Sequence, residues 1–204
     1  RTPTAVFAHG FLTVDGTKMS KSRGTFIMAR TYLDNLNPDY LRYYFCAKLG
    51  PGTGDIDLNL EDFVQRVNSD LVGKVGHIAS RCSGFIQRQF DGQLSKDLHD
   101  PDQYAHFLAQ REAIAADYES RNYQSAIRRI MALADEANRY IDEHKPWQMI
   151  KDPGSESKVQ AVCTQGLAMF RSLMIYLSPV IPTVAEDARN FLKDGPWNWG
   201  DASQ

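Results

Sequence analysis

A chain of 204 residues that is 43% hydrophobic and has a formal net charge of −2 can bury a sizeable core, and fits one large domain or two small ones. That near-neutral balance excludes a generally polycationic nucleic-acid binder, so any RNA contact must come from a local patch. The three cysteines and five histidines form no Cys-x-x-Cys or His-x-x-x-His spacing, and no run approaches ~18 apolar residues.

The expectation is therefore no metal site, no membrane span, no signal peptide and a reducing, cytoplasmic setting. A start on Arg1 rather than Met points to a fragment of a longer protein. In chain order, Ala5 to Ala8 and Phe11 to Val14 are strand candidates. Asp15-Gly16 is a two-residue hairpin signal, with Thr17 beginning the return. A polar loop follows, with Lys18, Ser20, Lys21, Ser22 and Arg23, closed by Gly24. Its ammonium groups and hydroxyls suit a polyphosphate, and Gly24 lets the backbone bend close to one. Gly24-Thr25 can begin a helix or turn. Pro38 opens a helix from Asp39 to Leu49, with Tyr40, Tyr43, Tyr44 and Phe45 at helical spacing. Gly50 to Gly54 is the clearest breaker and reads as a hinge between two parts.

From Asn59, a candidate N-cap, the chain turns to long helices. Phe63, Val67, Leu71, Val75, Ile78, Cys82 and Phe85 form one apolar stripe, stopped by Asp91-Gly92. Asp100-Pro101 caps a second helix to about Tyr118. A third runs from Asn122 to His144 and stops before Pro146. A fourth begins after Ser155 and ends at Ser178-Pro179, and Pro182 opens a last one to about Lys193. The fold class read from this is mainly α: a bundle of about five helices behind a small α/β end. The domain reading is 1–59 and 60–204.

The loop Lys18-Met19-Ser20-Lys21-Ser22, with its hairpin and following glycine, resembles the KMSKS loop of class I aminoacyl-tRNA synthetases. Leu-Arg-Tyr-Tyr at 41–44, Asp-Ile-Asp-Leu-Asn-Leu-Glu-Asp-Phe at 55–63, Ala-Asn-Arg-Tyr at 137–140 and Pro146-Trp147 are similar to bacterial methionyl-tRNA synthetases, in order and along essentially the whole chain. The resemblance implies activation of methionine with ATP, Mg2+ accompanying the ATP, and transfer to tRNA(Met). It makes Lys21 a catalytic ATP contact, with Lys18, Met19, Ser20 and Ser22 shaping the ATP-binding loop. Residues 60–204 become an anticodon-binding bundle behind the end of a class I catalytic region.

His77 and Arg81 lie at i and i+4, each one residue before a core position, with Asp70, Lys74 and Arg88 on the same margin. The residues alone fit a solvated helix edge. The family has Asn-Leu-Ala-Ser-Arg there, and its Asn and Arg contact anticodon bases. Here the run is His77-Ile-Ala-Ser-Arg81, so Arg81 carries over while His77 departs from the paired amide face of Asn. Trp147 matches the family Trp that stacks on an anticodon base. Arg121, Arg128, Arg129 and Arg139 are candidates for phosphate contacts or plain surface charge.

No HIGH motif and no cysteine-bearing zinc insertion occur in these residues; in the family both lie upstream. The 204 residues alone are expected to form no adenylate and to be monomeric. Two other readings stay open at this point. One is a free-standing RNA-binding bundle, which leaves the loop unexplained. The other is a synthetase for a different large aliphatic amino acid, since the bundle architecture is shared.

Overall fold

The computed structural model describes residues 2–22, 24 and 26–203; Arg23 and Thr25 of the loop region lie outside it. The chain opens on a three-stranded sheet of order β2-β1-β3. Strand β1 (Leu12–Val14) pairs antiparallel with β2 (Thr17–Lys18) and parallel with β3 (Ile56–Leu58), through Leu12↔Ile56, Thr13↔Asp57 and Val14↔Leu58. Asp15 and Gly16 make the turn with φ of 48° and 71°, both left-handed, as a two-residue hairpin requires. At Gly10 the backbone lies tight against residues 54 and 55: a Cβ there would lie 2.3 Å from the Gly54 carbonyl oxygen.

Ala5 to Ala8 form no strand. Val6 and Phe7 are exposed, and these residues have no ladder partner to satisfy their backbone groups. Helix α1 (Ala29–Leu33) is short; α2 (Pro38–Cys46) starts on its proline, capped by the Asn37 side chain, and stops before the anticipated Leu49. The 50–54 breaker is an exposed loop that delivers the chain to β3, a strand the hydrophobic pattern did not announce.

Helix α2 is bolted to the bundle. Asp39, 1% exposed, accepts the Val184 N–H at 2.9 Å, in the first turn of α10 (Pro182–Leu192). One turn on, Arg42 donates to the carbonyls of Val180 and Pro179 at 2.8 and 3.0 Å. Two helix-terminal needs, donors of α10 and acceptors of the corner that precedes it, are met by one face of α2.

The bundle is α3 (Leu60–Arg66), a π-helical segment (Val67–Gly76), α4 (His77–Gln89), α5 (Pro101–Leu108), α6 (Arg111–Glu119), α7 (Tyr123–His144), the short α8 (Pro146–Met149), α9 (Glu156–Leu177) and α10. The expected single helix from Asp100 to Tyr118 is two, broken at Ala109-Gln110 without a glycine or proline to signal it. Helix α9 is apolar nearly all round, which fits its place at the centre of the core. Its buried polar residues serve the surrounding chain: Thr164 accepts the Ser95 N–H and Gln165 the Asp100 N–H. A smaller core of Tyr44, Leu58, Phe63 and Val67 joins the sheet to α2 and α3.

Candidate nucleic-acid interface and phosphate-binding loop

Acidic residues of the 55–62 segment hold the hairpin that leads into the loop. Asp55 accepts the Phe11 N–H at 2.7 Å; Asp57 takes the Thr13 hydroxyl at 2.6 Å and the Gly16 N–H at 2.8 Å through one oxygen. Asn59 bonds Asp15 with its amide while its oxygen caps α3 at Asp62. Behind them, Lys48 pairs with Asp62 at 2.8 Å and with the Tyr44 hydroxyl. Neither Asp57 nor Asp62 was singled out as a site residue, because each acts on a partner far along the chain or through the backbone.

On this base sit the loop residues. Lys18 ends β2 and is exposed; Met19 and Ser20 are half-buried; Lys21 and Ser22 are exposed. The Gly24 N–H donates to the Lys21 carbonyl at 3.4 Å, and Gly24 has a φ of 70°, so the glycine is needed to close that turn. The Ser20 and Ser22 hydroxyls are 3.0 Å apart, and the Lys21 ammonium lies 5.4 Å from the Phe26 ring centroid. An exposed ammonium beside two hydroxyls can meet phosphate oxygens.

The Thr13 hydroxyl and then the Gly16 N–H hold the Asp57 carboxyl below its ordinary value of 3.8. A lowered carboxylate stabilises the fold above its unfolded value and loses that contribution as pH falls through its folded value. Amide exchange at Gly16 should therefore accelerate as pH drops below that range, beyond the intrinsic trend. In Asp57→Asn the extra acid dependence should vanish; an unchanged profile would remove Asp57 from this role.

In the bundle, the structure brings two of the three sequence-predicted residues into contact. Helix α7 ends at Lys145, left-handed at a φ of 48°, and buried Pro146 starts α8. That abrupt turn positions Trp147, a residue that remains 36% exposed. The Arg81 guanidinium lies 4.9 Å from the Trp147 ring centroid and also pairs with the Asp142 carboxylate. His77 is exposed one turn earlier on the same helix. Asp142 was not anticipated: 61 residues separate it from Arg81, and only the packing of α4 against α7 joins them.

Of the other flagged cations, Lys74 pairs with Asp135 at 3.0 Å and Arg129 with Asp117 at 2.7 Å. Arg121 stacks 3.7 Å from the Phe7 ring centroid. Arg128 lines a cleft of about 410 Å³ with Arg66, Asp70, Lys74 and Asp135, beside the π segment. Arg139 is exposed. Among the described residues, no group of three or more His, Cys, Asp or Glu could hold a metal ion, and no helix is long and apolar enough to cross a membrane.

Residues 1–83 match the family model for class I tRNA synthetases (M), and residues 94–204 match that for the anticodon binding domain of methionyl tRNA ligase. Methionine–tRNA ligase of Francisella tularensis subsp. tularensis is 56% identical over 202 residues, covering 99% of this chain and 30% of its own length. The protein from subsp. holarctica is likewise 56% identical. The chain thus spans under a third of the length of these curated relatives. Among solved structures, Mycobacterium tuberculosis methionyl-tRNA synthetase in complex with methionyl-adenylate aligns at a TM-score of 0.85 and 25% identity, covering 96% of this chain and 40% of that one. Its apo form aligns at 0.82 and 22% identity over 100% of this chain and 40% of that one, a likeness of fold.

Proposed function

The chain belongs to the methionyl-tRNA synthetase family, and from that premise we propose that it supplies two working parts of a methionine–tRNA ligase. Residues 1–59 carry the KMSKS loop at the end of the catalytic region; residues 60–204 read the CAU anticodon of tRNA(Met). The observation that carries the second part is the Arg81–Trp147 stack, partly exposed where α4 meets α8.

An anticodon loop exposes unstacked bases, and an indole held by proline offers a rigid face at little ordering cost. A base can extend the guanidinium–indole stack. Arg81 keeps further N–H donors for a base edge, because Asp142 engages only one end of its fork. His77, where the family has Asn, offers one donor and one acceptor in neutral form rather than a paired amide.

At the loop, Lys21 and Lys18 would meet the phosphates of ATP. When the methionine carboxylate displaces pyrophosphate from the α-phosphate, negative charge grows on the departing oxygens. A cation already aimed there favours the transition state over the ground state, typically by ~3 kcal/mol per donor. Mg2+ would arrive on the phosphates of ATP. In the whole enzyme the partners are ATP, L-methionine and tRNA(Met), in the cytoplasm. The 204 residues by themselves are monomeric and contain no HIGH sequence.

The test is a titration of this chain with tRNA bearing CAU and with the same tRNA bearing another anticodon, at one stated salt concentration. Tighter binding to CAU is expected, with no ATP–pyrophosphate exchange by the chain alone. Equal affinity for both anticodons would overturn the recognition reading, and measurable exchange would overturn the division of labour.

A further inference from the structure

The helix carrying His77 and Arg81 is not α-helical throughout. Its apolar residues Phe63, Val67, Leu71 and Val75 recur every fourth position, then shift to Ile78 and Cys82. In an α-helix a step of four overshoots by about 40°, so that stripe would wander off the core within three steps. The π segment from Val67 to Gly76 has wider turns, in which a step of four falls short instead, and the two errors cancel. Phe63, Val67, Val75, Ile78 and Cys82 are accordingly all buried. The phase at which His77 and Arg81 leave the helix is therefore set by how far the π segment extends.

Helix α7 grips that segment in register with the Arg81 site. Lys74 pairs with Asp135, and Arg81 pairs with Asp142; the two pairs are seven residues apart on each helix. Between them, Asn138 spends both donors of its amide on carbonyls, Lys74 of the π segment at 3.1 Å and Ala134 of its own helix at 2.9 Å. Lys74 lies two residues before the end of the π segment. At the other flank the Tyr43 hydroxyl donates to Asp70 at 2.8 Å. Of the α7 contacts, Asn138 is the half-buried one and meets backbone rather than a mobile side chain.

We infer that Asn138 is a positioning residue for anticodon reading: by holding the last turn of the π segment it sets the angle at which His77 and Arg81 face RNA. The inference rests on the reading of Arg81 and Trp147 as the anticodon site. Asn138 touches no RNA in this scheme; it acts through the helix.

Asn138→Ala should cut the preference for CAU over another anticodon by about tenfold, the lower end of what one base contact provides, while affinity for the variant tRNA stays the same. Binding is read at a temperature where circular dichroism shows each protein fully folded. Backbone hydrogen exchange should accelerate locally, from Lys74 to Arg81, rather than across the core. Asn138→Asp keeps the size but turns both donors into acceptors, and should lose as much. Asn138→Gln keeps the donors on a longer arm and should stay within about threefold of the wild type, since the hydrogen bonds can re-form. Were Asn138→Ala not to fold, the Asp and Gln variants decide by the same comparison. A wild-type chain without anticodon preference overturns the site reading beneath the inference. A preference that survives both Ala and Asp, or falls together with the affinity for the variant tRNA, overturns the positioning role alone.

Discussion

Trp147→Ala and Arg81→Ala should each weaken binding to tRNA carrying CAU by ~1–3 kcal/mol, the range for one base stack or one good base contact, and leave the fold intact. Both side chains are at the surface and neither belongs to the core, so truncation opens no buried cavity. Because the guanidinium sits over the indole, the two losses should not add. The double mutant should fall short of their sum by at least ~0.5 kcal/mol, the scale of coupling between residues in contact. Trp147→Phe, which keeps an aromatic face, should retain part of the affinity. Filter binding or fluorescence titration with both tRNAs reads all of this. If both single mutants discriminate between anticodons as the wild type does, the site lies elsewhere.

Local chemistry explains most of what could be read ahead of the structure. Asp15-Gly16 dictates its turn, Asn59 and Asp100 cap the helices they precede, and Pro38, Pro101 and Pro182 each open one, while Pro146, expected only to end a helix, also starts α8. What escaped is non-local. Strand β3 is three residues long and exists because Leu12 to Val14 lie beside it, 44 positions away. The π segment reads as plain helix, because its every-fourth-residue apolar spacing is close to the helical period; its contacts with α7 and α2 join residues far apart in the chain. Arg81 and Trp147 entered through a family likeness, since the pattern around Arg81 fits a solvated helix edge as well and a Trp beside a proline fits a packed helix end. The structure adds that they touch, that Asp142 pairs with Arg81, and that Asp57, earlier in the chain, holds the hairpin under the loop.

Gly166→Ala should destabilise the bundle by ~1–3 kcal/mol, against the gain of up to ~1 kcal/mol that alanine normally brings to a helix interior. The reason is the tight fit of α9 against α4: a Cβ on residue 166 would lie 2.4 Å from the Cys82 Sγ and 3.6 Å from the Ile141 Cδ1. Cys82 is fully buried, so its sulfur cannot turn out to solvent. The neighbouring Cys163 and burial push its thiol well up, which leaves it a neutral packing group. Overlap therefore outweighs helix propensity. Cys82→Ala removes the obstructing sulfur, so it should be costly alone but should recover much of the stability when combined with Gly166→Ala. Chemical denaturation of the four proteins measures that cycle. The same push acts on the residue beside Arg81, so Gly166→Ala should also blunt anticodon preference under conditions where the protein is still folded. Additive costs in the cycle would mean that Cys82 is not what the glycine accommodates.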